Sequence, residues 1–172
     1  MFRNIVFCFL FLFVFVLENN AQAFDFEDDI ELITWDLILS EQTLDAKMEL
    51  ISFAKKHLGA PYKYGGATSN GFDCSGFVFF VFNEFGKTLP RSSRDIARIG
   101  EKINRQDLQI GDLVFFEGRT RNGVVGHVGI VTNIDNNDVF FIHASTNRNI
   151  IVSSMKEEYY AIRFLLARRI MI

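Results

Sequence analysis

Cysteine, proline and histidine are scarce in this 172-residue chain, at two, two and three residues respectively. Two cysteines exclude a disulfide-stapled scaffold, and no CxxC or HExxH pair offers a short-range metal motif. Two prolines, without any low-complexity tract, exclude a proline-rich linker protein. Basic residues are not in excess, 18 against 21 acidic ones, so the overall charge does not point to nucleic acid. The main apolar run, Ile5 to Leu17, falls short of the roughly 20 residues that a membrane-spanning helix needs. No P-loop, GxGxxG or GxSxG motif occurs. The apolar content of 49% and charged content of 23% fit one globular domain at this length.

What the chain does have is phenylalanine, twenty residues of it. Six of these precede Ala23, in a segment that runs from Arg3 through the apolar stretch to Ala21-Gln22-Ala23. Charge, apolar core and small-residue cleavage site follow the order of a secretory signal, so residues 1–23 are expected to direct export to the periplasm or beyond. Membrane attachment is expected only if this segment is retained. Cys8 lies inside the apolar run without the small residues that precede a lipid-modified cysteine, so removing the segment leaves Cys74 as the one thiol. A thiol without a partner is a buried filler or a working nucleophile. From Phe24 to Leu50 nine acids face one base, whereas Ile51 to Ile172 carry sixteen bases and eleven acids. The expected organisation is a signal at 1–23, an acidic extension at 24–43 and one domain at 44–172, monomeric.

Helical spacing of Leu44, Met48, Ile51, Ala54 and Leu58 predicts a helix from Leu44 to Leu58, stopped by Gly59 and Pro61. His57, among lysines, reads as a solvated side chain. The apolar run Phe77 to Phe82 predicts a buried helix starting near Cys74, and Ser92 or Ser93 caps a short helix through Ile99. Beyond Gly111 the texture changes to short β-rich runs at 112–116, 124–132, 139–143, 149–153 and 162–167. Helices first and strands afterwards imply an α+β fold, with N-terminal helices packed on a mainly antiparallel sheet of five to six strands.

Cys74 at a helix start meets unpaired N–H groups and the positive end of the dipole, which favour a thiolate. A nucleophilic thiol needs a base. The polar stretch Asn133–Asn137 predicts a hairpin centred on Asp135, which sets His127 directly opposite His143 on one face. His127 is then the candidate base, with His143 orienting its ring. Zinc held by one cysteine and two histidines is the lesser alternative; the expectation is no metal and no cofactor.

Leu58-Gly59-Ala60-Pro61-Tyr62, Gly65-Gly66, Gly71-Phe72-Asp73-Cys74-Ser75-Gly76, Leu89-Pro90-Arg91, Gly111 to Phe116, His127-Val128-Gly129-Ile130 and Ile142-His143-Ala144, in this order, resemble the NlpC family of papain-like cell-wall peptidases. The resemblance covers about Leu50 to Arg169. It implies a papain-like core, a triad of Cys74, His127 and His143, and peptidoglycan stem peptides as substrate. The bond implied is γ-D-glutamyl to diamino acid or D-alanyl to diamino acid. It also implies that Tyr62 helps bind the oxyanion and that Asp73 and Ser75 help hold the stem peptide. A non-catalytic wall-binding protein, or another papain-like amide hydrolase or acyltransferase, is the alternative.

Overall fold

Residues 26–172 are described by a computed structural model. They divide into two compact units, one ending at Leu39 and the other formed by Ser40–Ile172. Helix α1, Phe26–Lys55, is longer than the expected 44–58 and takes in most of the acidic extension. No glycine or proline interrupts residues 26–55. Gly59, at φ 82°, closes the turn that follows. Within the second unit α1 buries Leu50, Ile51 and Ala54, while Leu44, Met48 and Leu58 of the expected stripe are exposed. His57, expected to be solvated, is instead packed among aromatic rings. Its ring lies 5.0–5.7 Å from those of Phe53, Phe72 and Phe80, and its Nε2 is buried without a hydrogen-bond partner.

A small hairpin, β1 (Ala67–Thr68) with β2 (Gly71–Phe72), leads into α2, Cys74–Glu84. Asp73 caps α2 by accepting the Gly76 N–H, and Phe77, Val78, Val81 and Phe82 are fully buried. Helix α3 is the single turn Ser93–Ile96 capped by Ser92, shorter than expected because Ala97 already closes it.

Six strands form one antiparallel sheet: β3 (Glu101–Ile103), β4 (Leu113–Glu117), β5 (Val125–Asp135), β6 (Asp138–Ser145), β7 (Asn149–Ser154) and β8 (Phe164–Arg169). Their order is β3-β8-β4-β5-β6-β7, so the last strand of the chain enters the sheet interior. Arg169 on β8 grips Asp112, just before β4, through two hydrogen bonds of 2.7 and 2.8 Å. The one-turn helix α4, Glu158–Ala161, precedes β8. Successive residues on β4 point to opposite faces. Phe115 joins the core with α1 and α2, and Phe116 joins a second cluster with Phe141, Met155 and Tyr160. Six phenylalanines, at 72, 77, 82, 115, 116 and 141, are among the largest fully buried side chains, and the sheet is covered on both faces.

The β5–β6 hairpin departs from the expected register. Its turn is Asn136-Asn137, both at positive φ (46° and 60°), which fits a two-residue type I′ turn and pairs Asp135 with Asp138. Continued unbroken, that register would put His127 and His143 on opposite faces. An irregularity at Thr132 shifts the pairing by one residue, so that Ile130 faces Ile142. One step further Gly129 lies against His143, and His127 is its diagonal neighbour rather than its direct partner.

Candidate active site

Two elements converge on Cys74. It is the first residue of α2, and three backbone N–H groups face its sulfur: its own, that of Ser75 and that of Val128 on β5. Val128 follows His127 in sequence, so the strand that carries the histidine also touches the thiol. Burial nevertheless pushes the thiol up to about 11, and the Asp73 carboxylate adds to this. Contrary to the expected thiolate, the group rests protonated, because desolvation outweighs the three N–H donors.

His127 Nε2 and His143 Nδ1 are 2.9 Å apart, and His143 Nε2 is 3.1 Å from the Tyr160 hydroxyl. His143 is fully buried, His127 only partly. Burial drives the imidazole pKa of both below the ordinary 6.5, so both rings rest neutral. A neutral ring has one N–H, and two arrangements of the protons satisfy both contacts. In one, His127 Nε2–H donates to His143 Nδ1 and His143 Nε2–H donates to the Tyr160 oxygen. This leaves His127 Nδ1 with a lone pair. In the reverse arrangement His127 Nδ1 carries the proton and has no basic lone pair left.

On the other side of the thiol, Asp73 is held by several donors. Its Oδ1 accepts from Gly76 N–H at 2.6 Å, Arg91 Nη1 at 3.0 Å and the Ser75 hydroxyl at 3.2 Å. Its Oδ2 accepts from Arg91 Nη2 at 2.7 Å and Gly65 N–H at 3.0 Å. Burial raises the Asp73 pKa, but the Arg91 and Gly76 hydrogen bonds outweigh it and hold the carboxyl below its ordinary range. Arg91 also donates to the Ser75 hydroxyl (3.1 Å) and to the Gly66 carbonyl (3.2 Å). Asp73 and Ser75 are thus brought to the nucleophile together but are already engaged within the protein. Tyr62 lies close enough to Cys74 and Asp73 for burial and then their charges to raise its phenol pKa. Ile96, the last residue of α3, is core.

Sequence reasoning missed Tyr160 and any role for Arg91. The Leu89-Pro90-Arg91 stretch was a usable signal for the arginine, and nothing local marks Tyr160. A cleft of about 760 Å³ opens along His127, His143 and Tyr160, and Cys74 is not part of its lining. Among the described residues no three His, Cys, Asp or Glu side chains are grouped to hold a metal ion.

The sequence profile of the NlpC/P60 family matches residues 59–169. The Escherichia coli K12 murein DD-endopeptidase MepS/murein LD-carboxypeptidase is 42% identical over 132 residues, 76% of this chain and 66% of that protein. The Escherichia coli probable endopeptidase NlpC is 46% identical over 114 residues, covering 65% of this chain and 70% of that protein. An NlpC/P60 family protein from Bacillus cereus superimposes with a TM-score of 0.65 at 32% identity, over 72% of this chain and 39% of that one. The shared α+β architecture is the papain-like one of these structures. A profile that spans most of Ser40–Ile172, and a fold that agrees with it, make this chain a member of the NlpC/P60 family.

Proposed function

We propose that this chain is an exported cysteine peptidase that hydrolyses an amide bond in peptidoglycan stem peptides, with Cys74 as nucleophile and His127 as general base and acid. The observation that carries the reading is the convergence at one sulfur. A helix start and the backbone N–H of Val128, the residue after His127, meet at the Cys74 sulfur, and His127 itself heads a hydrogen-bonded chain through His143 to Tyr160. The name of the 42% identical relative supports the D-alanyl to diamino acid cross-link as the bond. The family's wall substrates and the Arg3–Ala23 pattern support export; residues 1–23 lie outside the described ones.

Because thiol and imidazole both rest neutral, attack begins with transfer of the Cys74 proton to His127 Nδ1 as the substrate carbonyl arrives. The thiolate adds to that carbonyl, and the oxyanion is received by the Cys74 backbone N–H with help from the Tyr62 hydroxyl. His127 then gives its proton to the leaving amine, the C–N bond breaks, and an acyl-thioester remains. Water, deprotonated by His127, releases the acid and restores the thiol. His143 orients the His127 ring, and Asp73 with Ser75, held by Arg91, flanks the acyl side of the stem peptide.

Cys74→Ser should abolish release of monomers from cross-linked muropeptides, read by mass spectrometry, while the circular dichroism spectrum stays unchanged. Full cleavage by the folded variant would sink the proposal. Product masses also tell a cut at the D-alanyl cross-link from one at the γ-D-glutamyl bond.

A further inference from the structure

The cleft beside His127 has a charge pattern that the catalytic chain does not use. Its lining includes Glu117, Arg119, Arg148 and Glu157. Glu117 is engaged by the Gly123 N–H and, at 3.7 Å, by Arg121 from outside the cleft. Glu157 accepts the Ser154 N–H at 3.0 Å and keeps one negative charge. Arg119 and Arg148 make no hydrogen bond or ion pair with any described residue. With Glu117 neutralised by Arg121, two guanidinium groups face one carboxylate, which leaves one positive charge unbalanced. The positive charge of Arg148 reaches inward as far as His143 and Tyr160.

Gly118 and Gly126 form part of the same wall, and a Cβ on Gly126 would lie 2.5 Å from the Gly118 Cα. Gly126 lets these two backbone segments pack against each other, and neither position puts a side chain into the wall next to His127.

The geometry points to a subsite for the leaving fragment, selective for a carboxylate on the carbon that bears the released nitrogen. This inference rests on the function proposed above. A general acid must reach the nitrogen it protonates, so the leaving fragment occupies the space at His127. In a D-alanyl cross-link to a diamino-dicarboxylic acid, that nitrogen and a free carboxylate share one carbon. The carboxylate then lies in the cleft, within the field of Arg119 and Arg148, and balances its single excess charge. A cross-link through a diamino acid with one carboxyl, or through the amidated dicarboxylic acid, brings no such charge.

The test uses the full chain and two synthetic cross-linked peptide dimers. They differ only in whether the carboxyl beside the scissile nitrogen is free or amidated. The wild type should cleave the free acid with a kcat/KM roughly tenfold to a hundredfold higher, the range expected for a charge-assisted pair. In the Arg119→Ala/Arg148→Ala double variant that ratio should collapse to about one. Equal kcat/KM values for the wild type, or an unchanged ratio in the variant, overturn the subsite while leaving the peptidase reading in place. A wild type that cleaves neither dimer overturns both.

Discussion

Tyr160 is where the tautomer of the proposed base is decided. Its hydroxyl oxygen accepts from His143 Nε2–H in the arrangement that leaves His127 Nδ1 with a lone pair, and donates to His143 Nε2 in the reverse one. Tyr160→Phe keeps the ring against Phe116 and Phe141 and removes only that acceptor. His143 then prefers its proton on Nδ1, which donates to His127 and moves the His127 proton to Nδ1, facing away from its role as base. The expected result is a kcat lowered about fivefold with KM unchanged, because one neutral hydrogen bond of about 1 kcal/mol biases the two tautomers. A stability loss of about 1–2 kcal/mol should accompany it, for the polar atom left buried without a partner. Equal kcat values for variant and wild type would assign the hydroxyl a purely structural part. Cys74, His127 and His143 could be singled out as candidates because their residue types are rare in this chain and ordered. Tyr160 could not, since its partner lies seventeen residues away across the sheet and only packing brings them together.

At the scale of elements, the irregularity at Thr132 and the bare backbone of Gly129 together allow two histidines to touch. A Cβ at Gly129 would come within 2.5 Å of Phe141 Cδ2, 3.0 Å of the Ile142 carbonyl oxygen and 3.1 Å of His143 Cβ. Gly129→Ala should therefore force β5 and β6 apart where His143 is held, at a cost of about 1–3 kcal/mol for overpacking. Urea midpoints and cleavage rates should both fall; a wild-type midpoint would show that the sheet absorbs the methyl group. The hairpin itself was readable from Asn133–Asn137, as were the buried helix at Cys74 and five of the six strands. Its register was not, because a sequence shows where a turn is favoured but not where a ladder gains an extra residue. The long α1 was missed for a different reason. The change in composition across 24–50 suggested a boundary, whereas residues 26–55 hold no glycine or proline to end a helix.

For the whole molecule, acid sensitivity follows from the histidines. Burial lowers the pKa of all three below 6.5, with Lys56 adding to the effect at His57. Below about pH 6.5 the unfolded chain takes up protons that the folded chain refuses, so stability is fully present above that value and falls as the pH drops. His127 and His143 should each contribute up to about 1.4 kcal/mol per pH unit, and His143→Asn should flatten the slope of urea midpoint against pH between 7 and 5.5. A midpoint that is flat or rises on acidification over this range contradicts the assignment. Asp73 acts in a separate window: its folded pKa is depressed, so its contribution is present above its ordinary 3.8 and is lost as pH falls through the folded value. Sequence alone determined the chemistry available to this protein, two thiols, three imidazoles and a helix start at Cys74 in a chain of α+β texture, because residue type and local periodicity are properties of the chain. Tertiary structure decided which nitrogen meets which oxygen, why the thiol rests protonated, and which arginines remain without a partner, because burial, sheet register and charge balance exist only once distant segments have packed.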